Sequence, residues 1–177
     1  MRKDVLILSA SPRKGGNSDL LCDAFAQGAR EAGHNVKKIY VQDQKIGGCM
    51  ACYGCRDKGK CVQKDDMEAV LDKLVAADVI VLATPVYFYA MDGQLKTLID
   101  RTLPRYVEIR DKDFYFIATA AAGAKAMERT MDGMAGFTDC LPGAKVKAKI
   151  YGSGVYQKGE VKDAPAYVTA YKAGREA

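Results

Sequence analysis

Four cysteines fall within a stretch of thirteen residues and form the densest group of reactive side chains in the sequence. Compact runs of four cysteines hold cubane iron–sulfur clusters, whereas structural zinc usually takes two pairs that are well separated in sequence. A redox disulfide within Cys-Tyr-Gly-Cys is a further alternative. The spacing therefore leaves a cluster, a zinc ion and free or disulfide-forming thiols open. The four residues are Cys49, Cys52, Cys55 and Cys61.

A polar segment from Ser9 to Ser18 has the parts of a phosphate site. Its sequence, SASPRKGGNS, offers three hydroxyls, one amide, two cations and a pair of glycines. Flexible glycines that open onto a helix N-terminus bind phosphate dianions, because the first N–H groups of the helix point at the ligand. The segment lacks the Gly-x-Gly-x-x-Gly fingerprint and is not a P-loop. The alternative is a polar turn in which Asn17 or Ser18 only caps the helix.

An aromatic segment, TPVYFYAMDG, covers residues 84–93. Three successive aromatic residues and a methionine after a buried strand suit a flat aromatic ligand. The alternative is that Tyr87, Phe88 and Tyr89 anchor the loop in the core. We predict that this segment flanks an aromatic ligand.

Alternating strand and helix patterns connect these segments. Apolar runs predict buried strands, lysine-alternating runs predict edge strands, and apolar residues three or four apart predict helices. Asp65 and Glu68 have the pattern of a capping box, and Thr84-Pro85 is expected to end the central strand. The remaining cysteines, Cys22 and Cys140, are expected to be buried thiols. Strands are predicted at residues 4–10, 35–41, 78–83, 113–120 and 144–152, and helices at 19–33, 65–77, 93–103 and 124–137.

Five strands that alternate with helices predict an α/β fold with a doubly wound parallel sheet. The two lysine-rich strands are the second and fifth, and the flavodoxin-like order 2-1-3-4-5 places both at the edges. The predicted fold is therefore a flavodoxin-like, three-layer arrangement around a five-stranded parallel sheet. Ligands of such sheets bind beyond the carboxyl ends of the strands, between the first and third strands. This position brings the polar and aromatic segments together.

Length and composition limit the class of protein. The 177 residues contain 27 basic and 22 acidic side chains, and 49% are hydrophobic. We predict one domain, residues 1–177, with a Cys-rich loop at about 47–64. Scattered lysines and the absence of nucleic-acid-binding signatures predict no nucleic-acid partner. The longest apolar stretch is broken by Asp78 and Pro85 and no secretory signal is visible, so we expect no membrane partner and a cytoplasmic location.

The segments SASPRKGGNS and TPVYFYAMDGQLKTLIDR closely resemble the NAD(P)H-dependent FMN reductase and iron–sulfur flavoprotein families, over roughly residues 4–123. The resemblance implies that the first segment holds the FMN phosphate and that the second flanks the isoalloxazine. A third contact is implied from the loop after the fourth strand. The implied FMN-binding residues are Ser9, Ser11, Arg13, Asn17, Ser18, Pro85, Val86, Tyr87, Phe88, Thr119 and Gly123.

The cysteine run is similar to the compact motif of iron–sulfur flavoproteins, which implies a 4Fe–4S cluster on Cys49, Cys52, Cys55 and Cys61. Flavin reductases of the same superfamily carry similar Cys-rich loops without being established cluster binders. Zinc and free thiols therefore stay open beside the cluster.

The resemblance implies an FMN-dependent oxidoreductase that takes electrons from NAD(P)H or a reduced carrier and passes them to a flavin, quinone or other acceptor. Because the flavin does most of the chemistry, no catalytic side chain is expected. The rival expectation is a non-enzymatic electron-transfer flavoprotein that carries FMN and a 4Fe–4S cluster between protein partners such as a ferredoxin-type carrier. A metal-stabilised interaction domain without flavin is a third. Family members are commonly oligomers, so a homodimer or homotetramer is expected, with residues 94–101 as a candidate contact.

Overall fold

Apolar strands and amphipathic helices alternate along the chain, and the computed structural model describes all residues from 1 to 177. The strands are β1 (Asp4–Ser9), β2 (Asn35–Tyr40), β3 (Val79–Tyr87), β4 (Ala90–Met91), β5 (Asp113–Ala120) and β6 (Lys145–Ser153). The helices are α1 (Asn17–Glu31), α2 (Met67–Ala76), α3 (Gly93–Asp100), α4 (Glu128–Asp139) and α5 (Pro165–Arg175).

The main sheet has the strand order β2-β1-β3-β5-β6, and all of its pairings are parallel. Strand β4 is a two-residue return that pairs antiparallel with the end of β3. Without this short strand the order is the predicted 2-1-3-4-5, so the flavodoxin-like prediction is confirmed. The central strands are continuous apolar runs because helices cover both of their faces, and Ile7, Val81 and Phe116 are fully buried.

The lysine-rich strands lie at the two edges of the sheet, as predicted. In β6 the side chains of Lys145, Lys147 and Lys149 are exposed, whereas Ile150 is buried. Lysines on an edge strand discourage pairing with another chain. The charges on these strands therefore protect the sheet rather than mark a basic binding surface.

Two separate cores hold the helices on the sheet. One face packs under α1 and α5 around Leu21 and Phe25, and the other packs under α2, α3 and α4 around Leu74, Leu95 and Met131. None of the helices combines the length and the apolarity needed to cross a membrane. Because α1 and α3 are anchored on opposite faces, the loops that precede them have fixed supports.

Helix α5 was not predicted, and it packs closely on α1. A Cβ added to Gly28 would lie 2.1 Å from the carbonyl oxygen of Tyr171, and one added to Gly174 would lie 2.0 Å from that of Phe25. Only glycine allows the two backbones to approach this closely. The buried face of α5 consists mainly of alanine, including Ala166 and Ala170, so its hydrophobic periodicity is weak in the sequence.

The prediction that Thr84-Pro85 ends the central strand is wrong, because β3 continues to Tyr87. The Ala83 carbonyl accepts the N–H of Ala10 at 2.9 Å, so Ala83 directs its backbone groups toward β1. Pro85, two residues later, faces the same side, where β1 has already ended. Proline fits there because no N–H is required.

The capping box predicted for Asp65 and Glu68 is also wrong. Helix α2 begins at Met67, and the residue before it, Asp66, makes no side-chain capping bond. Asp65 accepts the N–H of Met67 at 3.1 Å, but its two oxygens also bind Arg101. Glu68 instead forms a surface ion pair with Lys60. A distant partner therefore determines the role of Asp65.

Candidate functional site

Three loops meet at the carboxyl edge of the sheet. They follow β1, β3 and β5, which are adjacent strands, and contain residues 10–16, 88–89 and 121–123. Parallel strands place their carboxyl ends at one edge, so the polar and aromatic segments lie on neighbouring strands as predicted. This edge is the candidate cofactor site.

The first loop is a tight turn that ends on the N-terminus of α1. The N–H of Arg13 donates to Ser11 Oγ at 3.2 Å, and the N–H of Gly16 donates to the Arg13 carbonyl at 2.9 Å. A Cβ on Gly16 would lie 2.8 Å from that carbonyl, so the turn requires glycine. Gly16 is also the N-cap of α1, and no side chain caps the helix. The first N–H groups of α1 are therefore available to an anion.

A buried carboxylate lies beneath this loop, and no pattern in the sequence indicated it. Asp19 is 1% exposed and accepts hydrogen bonds from Ser9 Oγ at 2.9 Å, Gly15 N at 2.7 Å and Lys38 Nζ at 2.8 Å. Burial alone would raise the pKa of Asp19, but the bonds from Lys38 and Gly15 lower it overall. Ser9 is thus engaged with Asp19, and Gly15 is fixed at a φ of 67°.

Asn17 ties the first loop to a segment that follows β6. Its Nδ2 donates to the Gln157 carbonyl at 2.9 Å, and its Oδ1 accepts the N–H groups of Gly159 at 3.1 Å and Val161 at 3.3 Å. The Asn17 side chain is therefore buried and occupied by protein partners.

This connection brings a cation to the loop that sequence reasoning missed. A Cβ on Gly15 would lie 3.1 Å from Lys158 Nζ. Lys158 and Arg13 are exposed and form no ion pair with a carboxylate, whereas Lys14 pairs with Asp43 at 2.6 Å. Two positive charges that are not paired with a carboxylate, those of Arg13 and Lys158, therefore lie at this loop.

The aromatic segment forms a two-residue hairpin at the end of β3. Val86 pairs with Met91 and Tyr87 with Ala90, and the two turn residues, Phe88 and Tyr89, have φ angles of 49° and 65°. Such turns favour Asn-Gly, and bulky residues with positive φ cost about 1 kcal/mol or more each. Phe88 is fully exposed, so the alternative that these rings anchor the loop in the core is wrong.

Thr84 and Asp92 support this hairpin from below. The Asp92 N–H donates to Thr84 Oγ1 at 3.0 Å, and Asp92 Oδ1 caps α3 by accepting the N–H of Leu95 at 3.0 Å. The second oxygen, Oδ2, is buried without a hydrogen-bond partner. Burial raises the pKa of Asp92 to about 6. The hairpin is thus supported by a buried carboxyl group, that of Asp92.

The third loop completes the edge. Pro85 of β3 lies opposite Thr119 of β5, which is buried, and Gly123 is exposed at the start of the next turn. The N–H of Gly154 donates to the Ala122 carbonyl at 3.1 Å and so connects this loop to the end of β6. The structure therefore brings the predicted residues of all three loops to one edge, although Ser9 and Asn17 are held by protein partners.

The Cys-rich segment is an irregular loop with a closed neck. The Lys45 N–H donates to Asp66 Oδ2 at 2.7 Å, the Asp66 N–H donates to the Lys45 carbonyl at 3.1 Å, and Gln63 Nε2 donates to the Gly48 carbonyl at 2.9 Å. Loops whose ends meet in this way are compact units that are held by their own contacts. We call residues 48–63 the cysteine loop.

Arg101, which sequence reasoning also missed, closes this neck. Its Nη1 donates to the Gly47 carbonyl and to Asp65 Oδ2, both at 2.7 Å, and its Nη2 donates to Asp65 Oδ1 at 2.9 Å. The guanidinium thereby joins the residues before and after the cysteine loop. These hydrogen bonds lower the pKa of the Asp65 carboxyl.

All four predicted cysteine ligands line one cavity, and Arg101 lines it with them. A cavity lined by four cysteines suits a cubane cluster, which binds each cysteine to a different iron, and also a zinc ion with four sulfur ligands.

Two further observations fit an anionic group in this cavity. Arg101 Nε is buried without a hydrogen-bond partner. Ala51 and Tyr53 have φ angles of 50° and 55°, and left-handed residues of this kind contribute to backbone nests that bind anions, including Fe–S sites.

The two remaining cysteines differ from each other. Cys22 is buried in α1, as predicted, and burial raises its pKa to about 12. The prediction for Cys140 is wrong, because this residue lies at the end of α4 and is exposed. The helix ends one residue before Cys140, so its side chain is not covered by the sheet.

Comparison with known proteins places the chain in a family. Residues 4–150 match the model of a family described as NADPH-dependent FMN reductase. An iron–sulfur flavoprotein of Archaeoglobus fulgidus is 40% identical over 94 residues, which are 53% of this chain and 43% of that protein. One of Methanocaldococcus jannaschii is 34% identical over 129 residues, which are 72% of this chain and 67% of that protein. The chain thus matches less than half the length of the first of these relatives.

Solved structures share the fold at low sequence identity. An NAD(P)H:quinone oxidoreductase from Methanothermobacter marburgensis has a TM-score of 0.74 at 17% identity, with 99% of this chain and 96% of that chain covered. An FMN-dependent NADH-azoreductase from Bacillus anthracis, solved in complex with FMN, has a TM-score of 0.78 at 15% identity, with 98% of each chain covered. With the family match over most of its length, the chain belongs to the NADPH-dependent FMN reductase family.

Proposed function

We propose that the chain binds FMN at the carboxyl edge of the sheet and acts as an oxidoreductase that passes electrons from NAD(P)H, or a reduced carrier, to a flavin, quinone or other acceptor. The observation that carries this proposal is the adjacency of an anion-binding turn and an exposed aromatic hairpin on neighbouring strands. FMN has a phosphate at one end and a flat ring at the other, so it matches both.

The residues of the first loop would hold the phosphate. The open N–H groups of α1, the hydroxyls of Ser11 and Ser18, and the cations of Arg13 and Lys158 form a set of donors, none of which is paired with a carboxylate. Ser9 and Asn17 act differently, since their side chains hold Asp19 and the segment after β6 in place. We propose that these two position the loop.

The hairpin and the third loop would hold the ring. Pro85, Val86, Tyr87 and Phe88 present backbone and aromatic surface, and Thr119 and Gly123 supply the opposite margin. When bound, FMN supplies hydride acceptance and the release of one or two electrons. The chain contributes orientation of the ring and exclusion of water, and no side chain has to move a proton.

Comparing FMN with riboflavin tests the phosphate site. Arg13→Gln and Lys158→Gln should each weaken FMN binding about tenfold and leave riboflavin binding unchanged, because charged hydrogen bonds to phosphate are lost. Flavin fluorescence titration measures both affinities. The matched control is Lys14→Gln, which removes a neighbouring cation that is already paired with Asp43 and should have a smaller effect. Equal losses for both flavins would contradict the assignment.

We also propose that the cysteine loop carries an iron–sulfur cluster on Cys49, Cys52, Cys55 and Cys61. The shared cavity, the unpaired Nε of Arg101 and the names of the relatives support this. Such a cluster supplies single-electron transfer when it is bound. An assay of iron and acid-labile sulfide tests this assignment. If both are absent, zinc and free thiols are the alternatives.

The second candidate function is a non-enzymatic carrier that passes electrons between proteins. Steady-state oxidation of NAD(P)H with a dye acceptor separates the two functions. Turnover by the flavin-loaded chain supports the enzyme, and its absence supports the carrier. The acceptor, a ferredoxin-type partner, the oligomeric state and the cytoplasmic location stay predictions.

A further inference from the structure

Arg101 is the largest fully buried side chain of the molecule, with 2% of its surface exposed. Its two Nη atoms are used at the neck of the cysteine loop, whereas Nε is buried without a hydrogen-bond partner. Leaving a buried donor unpaired costs free energy. The hydrogen bonds at the neck therefore account for the two Nη atoms of Arg101 but not for its Nε.

Cys61 lies beside this guanidinium. The two residues line the same two cavities. Arginine keeps its proton throughout the range of pH that proteins tolerate. A permanent positive charge thus lines the cavity of the four cysteines, and it shares a second cavity with Cys61.

A buried charge in this place bears on reduction of a cluster. Four thiolates around an iron–sulfur core form an anionic group whose reduction potential responds to hydrogen bonds and nearby charges. When bound, the cluster would accept one electron from a one-electron donor such as the reduced flavin, which would be oxidised by one electron. Because the product is more negative, an adjacent cation favours it, and the effect is large where water is excluded.

We propose that Arg101 is a positioning residue for the cluster. It closes the neck through Gly47 and Asp65, and its fixed charge near Cys61 raises the reduction potential of the cluster. The proposal rests on the cluster assigned under the proposed function. Asp65 opposes this effect, because its carboxylate partly neutralises the guanidinium.

Two substitutions separate the charge from the mechanical role. Arg101→Gln should make one-electron reduction of the loaded chain about tenfold less favourable, a shift of about −59 mV. Asp65→Asn should make reduction about threefold more favourable, because it removes the opposing charge. Anaerobic redox titration followed by visible absorption measures both. A purely mechanical role would move both variants in the same direction, since each breaks the same ion pair.

Trypsin digestion of the metal-free chain measures how well the neck stays closed without a cluster. The readout is the rate of cleavage at Arg56, Lys58 and Lys60 in the cysteine loop. Arg101→Gln should be cut about tenfold faster. Arg101→Lys keeps the charge but loses the paired geometry, so it should also be cut faster while its potential stays near that of the original chain. Arg110→Gln, which removes an exposed arginine outside both cavities, should change neither value.

The outcomes distinguish the two proposals. A chain that takes up no iron and sulfide overturns the cluster assignment and this proposal with it. A loaded chain whose potential is the same in Arg101→Gln, or shifts with the same sign in Asp65→Asn, overturns the proposal about Arg101 and leaves the cluster assignment intact. Opposite shifts support both.

Discussion

The turn between β1 and α1 and the cysteine loop are both suited to anionic groups, yet they are held by opposite charges. Beneath the turn, the buried carboxylate of Asp19 binds Gly15 and Ser9. At the neck of the cysteine loop, the buried guanidinium of Arg101 binds Gly47 and Asp65. The turn is supported by the secondary-structure elements on either side of it, whereas the cysteine loop is supported by side chains.

The difference follows from what surrounds each loop. The turn joins a strand to a 15-residue helix, so the helix N-terminus already provides positive character and a carboxylate can serve as a structural acceptor. The cysteine loop contains no helix or strand, so hydrogen bonds close its neck, and Arg101 adds to that closure the only buried positive charge there. The cysteine loop should therefore depend on a single residue far more than the turn does.

The largest effect is expected from breaking the neck. Arg101→Met leaves the carboxylate of Asp65 without its partner, which should lower the free energy of unfolding by about 3 kcal/mol. Urea denaturation measures this. Arg105→Met removes a surface arginine and should cost less than about 1 kcal/mol. Equal losses in the free energy of unfolding for the two variants would show that burial of Arg101 does not increase its contribution to stability.

The turn should instead be sensitive to packing of its helix. Gly174→Ala forces a Cβ to within 2.0 Å of the Phe25 carbonyl, so α1 and α5 must separate, at a cost of about 2 kcal/mol. FMN affinity should fall as the helix shifts. In α4, Gly136→Ala meets no atom within 4 Å and should stabilise the chain by about 0.5–1 kcal/mol. Thermal unfolding of both variants checks the opposite signs.

The carboxylate beneath the turn should matter less than the arginine at the neck. Asp19→Asn keeps the shape but weakens the bonds to Gly15 and Lys38, which should cost about 1–2 kcal/mol. FMN binding should weaken about tenfold, because Gly15 is no longer fixed. Asp23 also pairs with Lys38 but is exposed and does not touch the turn, so Asp23→Asn should leave FMN affinity unchanged. Isothermal titration of both variants tests this.

The smallest expected effect concerns Asp92 and depends on pH. Its pKa of about 6 lies above the ordinary value of 3.8, so between these pH values the folded state binds more protons than the unfolded state. Stability should therefore fall as pH rises from about 4 to about 6. Asp92→Asn should remove this loss and be more stable than the original chain at pH 8. An identical pH dependence in both chains would contradict it.

Asp100→Asn is the control for this pH effect. Asp100 lies at the other end of α3, is exposed and pairs with Lys96. Its substitution should leave the pH dependence of stability unchanged. Urea unfolding between pH 4 and pH 8 compares the three chains.

The sequence allowed the sheet, its order and the two loops at its edge to be predicted, because strands, helix spacing and glycines leave local patterns. Helix α5 was missed because its buried face is made of alanine, and β4 because a two-residue strand has no periodicity. Pro85 misled the prediction of strand length because the proline faces the end of β1.

Side chains that act across long separations could not be predicted. Lys158 reaches the turn from more than 140 residues away, because Asn17 binds the segment that carries it. Arg101 pairs with Asp65 from 36 residues away, and the local pattern around Asp65 suggested a helix cap instead. The fold brings such pairs together, and no regular spacing in the sequence indicates them.

The anaerobic visible absorption spectrum of the purified chain, before and after dithionite, tests the central claim most directly when iron and acid-labile sulfide are assayed on the same sample. The account predicts flavin bands over a broad iron–sulfur absorption that bleaches on reduction, with about four iron and four sulfide per chain. A chain prepared and reconstituted without oxygen that holds neither flavin nor iron would contradict it.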